Sequence, residues 1–98
     1  MAVMVIVQAN PDPNAGDALQ QYQPVARDTI ARHGGEVVFR GGGAGSLSGG
    51  REFKVGLLIR FPDAEKARAW YSDPDYQKVL PLRDRAFSDI EIRMFQEA

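Results

Sequence analysis

The chain has no cysteine and only one histidine, His33. Without thiols there is no disulfide, no thiolate nucleophile and no cysteine-ligated metal. One imidazole is too few for a His/Cys metal centre, so no metal and no cofactor is expected. Any block of like charge is also missing. Twelve basic and 13 acidic residues are mixed along the sequence, giving a net charge of −1. Nucleic acid and anionic membrane surfaces are therefore not expected partners. No apolar run is long enough to span a bilayer, and the opening Met-Ala-Val-Met-Val-Ile-Val lacks the basic flank and the length of a signal peptide. The expected location is cytoplasmic. The glycine-rich stretch 41–50 matches neither a phosphate-binding P-loop nor a dinucleotide fingerprint. A strand pattern follows it rather than a helix, so it reads as a flexible hairpin connection. No serine triad or carboxylate dyad can be assembled; Asp73 and Asp75 are accounted for by the preference of acids for helix N-termini.

With 98 residues, one domain spanning residues 1–98 is the expectation. Ala2 to Ala9 is a β-branched, apolar first strand. Val3, Val5 and Val7 share one face, and Met4, Ile6 and Gln8 share the other. The turn Asn10-Pro11-Asp12-Pro13-Asn14 leads to a helix from about Ala15 to His33. Its stripe is Leu19, Tyr22, Val25 or Ala26, Ile30 and His33. Pro24 lies inside and predicts a kink or a restart; Gly34-Gly35 predicts a left-handed cap. Glu36 to Arg40 is a second strand, with Val37 and Phe39 opposite Val38 and Arg40. Phe53 to Phe61 is a third, stopped by Pro62. Asp63 caps a second helix that carries Ala64, Ala67, Trp70 and Tyr71 inward. Ser72-Asp73-Pro74-Asp75 restarts a short helix, capped by Ser72 or Asp73, with Tyr76, Val79 and Leu80 as its apolar stripe. Pro81 predicts its end, residues 82–87 a further turn or loop, and Ser88 to Gln96 an alternating fourth strand.

The resulting β-α-β-β-α-β order predicts an α+β, ferredoxin-like domain with a four-stranded antiparallel sheet. Its helices cover one sheet face. The first strand is apolar on both faces, and no further element remains to cover the second. The simplest cover is another copy, so a homodimer is expected.

Large rings and cations cluster between Arg60 and Gln77. Trp70, Tyr71 and Tyr76 fill the space between helix and sheet or line an apolar pocket, with Tyr22 joining from the first helix. His33 is a general base or a helix C-terminal residue bound to the last carbonyls. Arg40 can hold a carboxylate or enolate, or pair with Glu36, Asp84 or a partner subunit. Arg60 carries the same ambiguity. Arg83 beside Asp84 reads as a surface ion pair or as a ligand contact near the pocket.

Arg40-Gly41-Gly42, Phe61-Pro62, Trp70-Tyr71-Ser72, Pro74-x-Tyr76 and Leu82-Arg83 together resemble a widespread bacterial family of similar length. That family is a domain of unknown function in the dimeric α/β-barrel superfamily. The resemblance covers almost the whole chain and implies the same fold and dimer. Superfamily relatives include cofactor-free monooxygenases, muconolactone isomerase-like enzymes, haem-dependent peroxidases and ligand-sensing domains, so fold alone does not fix activity. Two positions depart from the pattern. Arg60 stands where the family has an acid, and Lys54 where it has arginine, which puts a carried-over acid–base couple in doubt.

Two function classes follow. The first is a cofactor-independent enzyme, monooxygenase- or isomerase-like, acting on a small aromatic or carbonyl metabolite. There His33 or Tyr71 handles a proton, Arg40 stabilises an anion, and Tyr22, Arg60, Trp70, Tyr76 and Arg83 bind the ligand. The second is a non-catalytic module that binds a small ligand or serves as an assembly unit.

Overall fold

A computed structural model describes residues 1–98. Its elements are β1 (Val3–Pro11), α1 (Gly16–Arg32), β2 (Glu36–Gly42), β3 (Val55–Phe61), α2 (Ala64–Ser72), α3 (Pro74–Lys78), α4 (Leu80–Ala86) and β4 (Phe87–Gln96). The four strands form one sheet in the order β2-β3-β1-β4, with every neighbouring pair antiparallel. This is the expected α+β ferredoxin-like arrangement, with the second crossover broken into three short helices.

β1 holds the centre because its β-branched run pairs on both sides. Val5 lies opposite Ile59 of β3 and Met94 of β4. Val3, Val5 and Ala9 are each 3% exposed or less and point at the helices, where Ile59 and Phe61 join them. The other face carries Met4 and Ile6, both half-buried, and lies opposite Leu58, Arg60, Arg93 and Phe95. No helix covers that face.

α1 runs without a restart through Pro24. Proline removes one helical N–H and frees the carbonyl one turn earlier, at Gln20. Both residues are exposed, so water can serve that carbonyl. Pro81 also differs from expectation. It lies in the first turn of α4 rather than at a helix end, where its missing N–H would have had no helical partner in any case. Residues 82–87 are accordingly helix and the start of β4, not loop.

The faces of β2 are corrected as well. A bulge at Val38 shifts the register: Val37 lies opposite Ile59, but Phe39 lies opposite Leu58 and Arg40 opposite Leu57. Two residues of β2 thus oppose a single step of β3, and alternation resumes with reversed sense. Phe39 therefore points to the helix-free face and Arg40 to the helix side. The Phe39 ring lies over Gly41, where an added Cβ would come within 2.7 Å of it.

α1 closes with Gly34 at φ +79°, its N–H bonded to the Ala31 carbonyl and that of Gly35 to the Ile30 carbonyl. This is a Schellman arrangement. It folds Gly35 into the core, where a Cβ would lie 2.6 Å from Ile30 Cγ2 and 2.7 Å from the Phe61 ring. Both neighbours are buried and belong to the backbone-fixed core. Gly35→Ala is expected to cost about 1–3 kcal/mol by overpacking, read as a lower urea midpoint with unchanged slope.

Candidate functional site

The predicted site residues fall into three places. The first is a closed core between α1, α2, α3 and α4. Tyr76 is fully buried and Trp70 is 3% exposed. Trp70 stacks on Phe61 with centroids 5.7 Å apart and tilts against Tyr76 at 4.8 Å. Its indole N–H donates to Thr29 Oγ1 at 3.2 Å, and Thr29 in turn donates to the Val25 carbonyl at 2.8 Å. The Tyr22 and Tyr76 hydroxyls share a hydrogen bond of 2.8 Å. Burial pushes both phenols above the ordinary tyrosine value, so neither is poised as a base. These rings are core, with polar tips satisfied by one another.

Tyr71 departs from the expected inward position. It is 37% exposed, packed edge-on to Trp70, and its hydroxyl accepts from Arg83 Nη1 at 3.0 Å. Arg83 is not a surface residue. Its side chain is 13% exposed, its Nε has no partner, and Asp84 lies 3.5 Å away on the solvent side.

The second place is the end of α1. His33 Nε2 lies 2.8 Å from Asp73 Oδ2, and Arg32 Nη1 donates to Asp73 and Asp75 at 3.0 Å each. Asp73 also accepts the Asp75 backbone N–H at 2.9 Å and is 8% exposed. One carboxylate thus caps α3 and ties it to the C-terminus of α1. The His33 hydrogen bond, followed by the Asp75 N–H and Arg32, holds the Asp73 carboxyl below the ordinary aspartate value. His33 lines none of the clefts described below. Arg32 was not singled out by the sequence, and the capping preference of Asp73 conceals its second role.

The third place comprises two clefts on opposite sides of the closed core. A groove of about 370 Å³ lies between α2 and β4, lined chiefly by Trp70, Tyr71, Ile92 and Met94, with Arg68 and Ser72 at its polar edge. No carboxylate or imidazole lines it. A slot of about 240 Å³ lies between α1 and the sheet, and Arg40 lines it. Arg60 belongs to neither cleft; on the helix-free face its Nε lies 3.2 Å from Glu97. The structure therefore brings together Tyr22, Trp70, Tyr71, Tyr76 and Arg83, and separates His33, Arg40 and Arg60 from them and from one another. No three His, Asp or Glu side chains form a group able to hold a metal ion.

Residues 3–96 match the family model of a domain of unknown function, DUF1330. No functionally curated protein matches. Among solved structures, a protein of unknown function from Rhodopseudomonas palustris superposes with a TM-score of 0.83 at 17% identity, covering 99% of this chain and 82% of that one. A dimeric ferredoxin-like protein of unknown function from Jannaschia sp. CCS1 gives 0.71 at 14% identity, covering 99% and 100%. Another from Thermobifida fusca YX, also described as dimeric and ferredoxin-like, gives 0.65 at 16% identity, covering 97% and 90%. At these identities the likeness concerns the fold.

The Asp73 tie has a pH signature. A carboxyl with a depressed folded-state value contributes stability above its unfolded value, about 3.9, and loses it as pH falls through the lower folded value. Asp73→Asn is expected to be less stable than wild type at pH 7, with the gap closing on acidification below about pH 4. Urea midpoints measured from pH 7 downward check this; a gap constant with pH would remove Asp73 as its source.

Proposed function

Starting from the fact that the chain belongs to the DUF1330 family, we propose that it is a homodimer whose subunits bind a small apolar molecule, without turnover, in the groove between α2 and β4. The observation that carries the binding reading is the groove itself. It is an open apolar space walled by Trp70, Tyr71, Ile92 and Met94, beside an otherwise ring-filled interior. Pockets for small ligands have this make-up: apolar walls with a few polar groups at the edge. Tyr71 supplies one such group, and Arg83 fixes its hydroxyl. Binding is favoured over catalysis because the enzyme reading needs Arg40 at one locus with His33 or Tyr71. Tyr71 lines the groove, Arg40 lines the slot, and His33 is committed to Asp73.

The dimer reading rests on the helix-free sheet face. Met4, Ile6, Phe39, Leu58 and Phe95 share it, and the two rings are 54% and 57% exposed. An apolar face of this kind calls for a cover, and the dimeric proteins of the same fold supply the precedent for a second copy.

Two measurements test these statements. Light scattering should give a mass near twice the 10.8 kDa chain, and Leu58→Asp, which places a charge at the middle of the face, should give the monomer. A monomeric wild type at micromolar concentration overturns the dimer. For the groove, ¹⁵N and ¹³C-methyl spectra titrated with p-cresol should show saturable shifts at the Trp70 indole N–H and the Met94 methyl. Ile92→Phe, which fills the space, should abolish them. Saturation unchanged in Ile92→Phe would place binding elsewhere.

A further inference from the structure

The chain has nine arginines. Six of them, Arg32, Arg51, Arg60, Arg83, Arg85 and Arg93, have a carboxylate oxygen within 4.0 Å. Of the three without one, Arg27 and Arg40 line the same slot, the one between α1 and the β2–β3 half of the sheet. They reach it from different elements, Arg27 from the middle of α1 and Arg40 from β2.

The placement of Arg40 depends on an irregularity. With unbroken alternation from Val37, the side chain at position 40 would leave by the helix-free face. The bulge at Val38 reverses that sense and brings Arg40 to the helix side, opposite Leu57. Bulges that re-aim a single side chain recur beside binding sites. Here the re-aimed residue is a cation brought to the lining of an apolar slot that a second cation, Arg27, also lines.

The slot fits an amphipathic occupant. Nine of its 13 lining residues are hydrophobic, among them Val7, Leu57, Ala26 and Phe87, and none is acidic. Its remaining polar groups are Gln23, Arg27 and Arg40. Acids close in sequence, Asp28 and Glu36, make no ion pair with either arginine. Two guanidinium groups that line one slot, neither with a carboxylate within 4.0 Å, both attract an anion that enters it. Guanidinium also offers paired N–H donors matched to a carboxylate.

We infer that this slot is a second ligand site, separate from the α2–β4 groove, for a small amphipathic monoanion. Its aliphatic or aromatic tail enters between α1 and the sheet, and its carboxylate is held by Arg27 and Arg40. The site does not depend on the groove reading, since the two clefts share no lining residue.

Octanoate is the probe, with 1-octanol as the tail without the charge and acetate as the charge without the tail. Octanoate should give saturable shifts at Val7, Ala26 and Leu57. Octanol should bind on the order of tenfold or more weakly, the size expected for loss of charge-assisted hydrogen bonds, and acetate should give no saturable shift. The double variant Arg27→Gln/Arg40→Gln, whose spectrum also reports that it is folded, should bind octanoate no better than octanol binds wild type. No saturation by octanoate overturns the assignment. So does equal binding of octanol, octanoate binding unchanged in the double variant, or shifts confined to Trp70, Ile92 and Met94.

Discussion

The central strand has no polar face, and most of the architecture follows from that. β1 is hydrogen-bonded along both edges and carries apolar side chains on both sides. Burying such a strand contributes on the order of 25 cal/mol per Å² removed from water, but only if both sheet faces are covered. The helices α1 to α4 cover one face and bring Ile30, Ala67, Trp70 and Tyr76 against Val3, Val5, Ile59 and Phe61. The other face keeps Met4, Ile6 and Leu58 beneath exposed Phe39 and Phe95. None of the eight elements covers it, so the strand itself leaves an apolar face open to association.

The bulge in β2 links that face to the helix side. One extra residue turns Phe39 outward, onto the apolar face, and Arg40 inward, toward the slot beneath α1. Regular pairing would have buried the ring with the core and left the guanidinium among apolar residues of the outer face. That arrangement would add a further cation to a face that already carries Arg60 and Arg93. The two consequences come from one irregularity and cannot be separated: a strand that supplies a ring to the outer face at position 39 must supply its next side chain to the inner one. Gly41 leaves room for the Phe39 ring, which a Cβ there would meet at 2.7 Å.

What could be read from the residues follows the same physics. The apolar, β-branched run of β1 and the alternation in β3 and β4 need no partner to be recognised, and the strands fall within a few residues of where the pattern places them. Capping was equally legible: Asp63 accepts the Lys66 N–H and Asp73 the Asp75 N–H, each at the position its side-chain chemistry favours. The prolines were less legible. The cost of Pro24 depends on whether water reaches the Gln20 carbonyl, and the meaning of Pro81 depends on whether α4 begins there; both are set by surroundings the local sequence does not contain. The bulge was invisible for a related reason. Glu36 to Arg40 alternates acceptably in either sense, and only pairing with β3 decides between them.

The candidate site dissolved into parts because polar side chains did different work from what their chemistry suggests in isolation. His33 and Asp73 form the kind of pair that in a cleft would read as a base and its orienter. Here Asp73 also caps α3 and accepts from Arg32, so α1 and α3 meet on one carboxylate. Tyr22 and Tyr76 repeat the pattern, each satisfying the other across α1 and α3. Such ties are what a small helix layer needs when its helices are short, since α3 and α4 span 5 and 7 residues and cannot hold themselves by length. Groups spent on holding helices together are not free for chemistry. The side chains left over, Tyr71 at the groove and Arg27 and Arg40 at the slot, line clefts that hold no carboxylate and no imidazole.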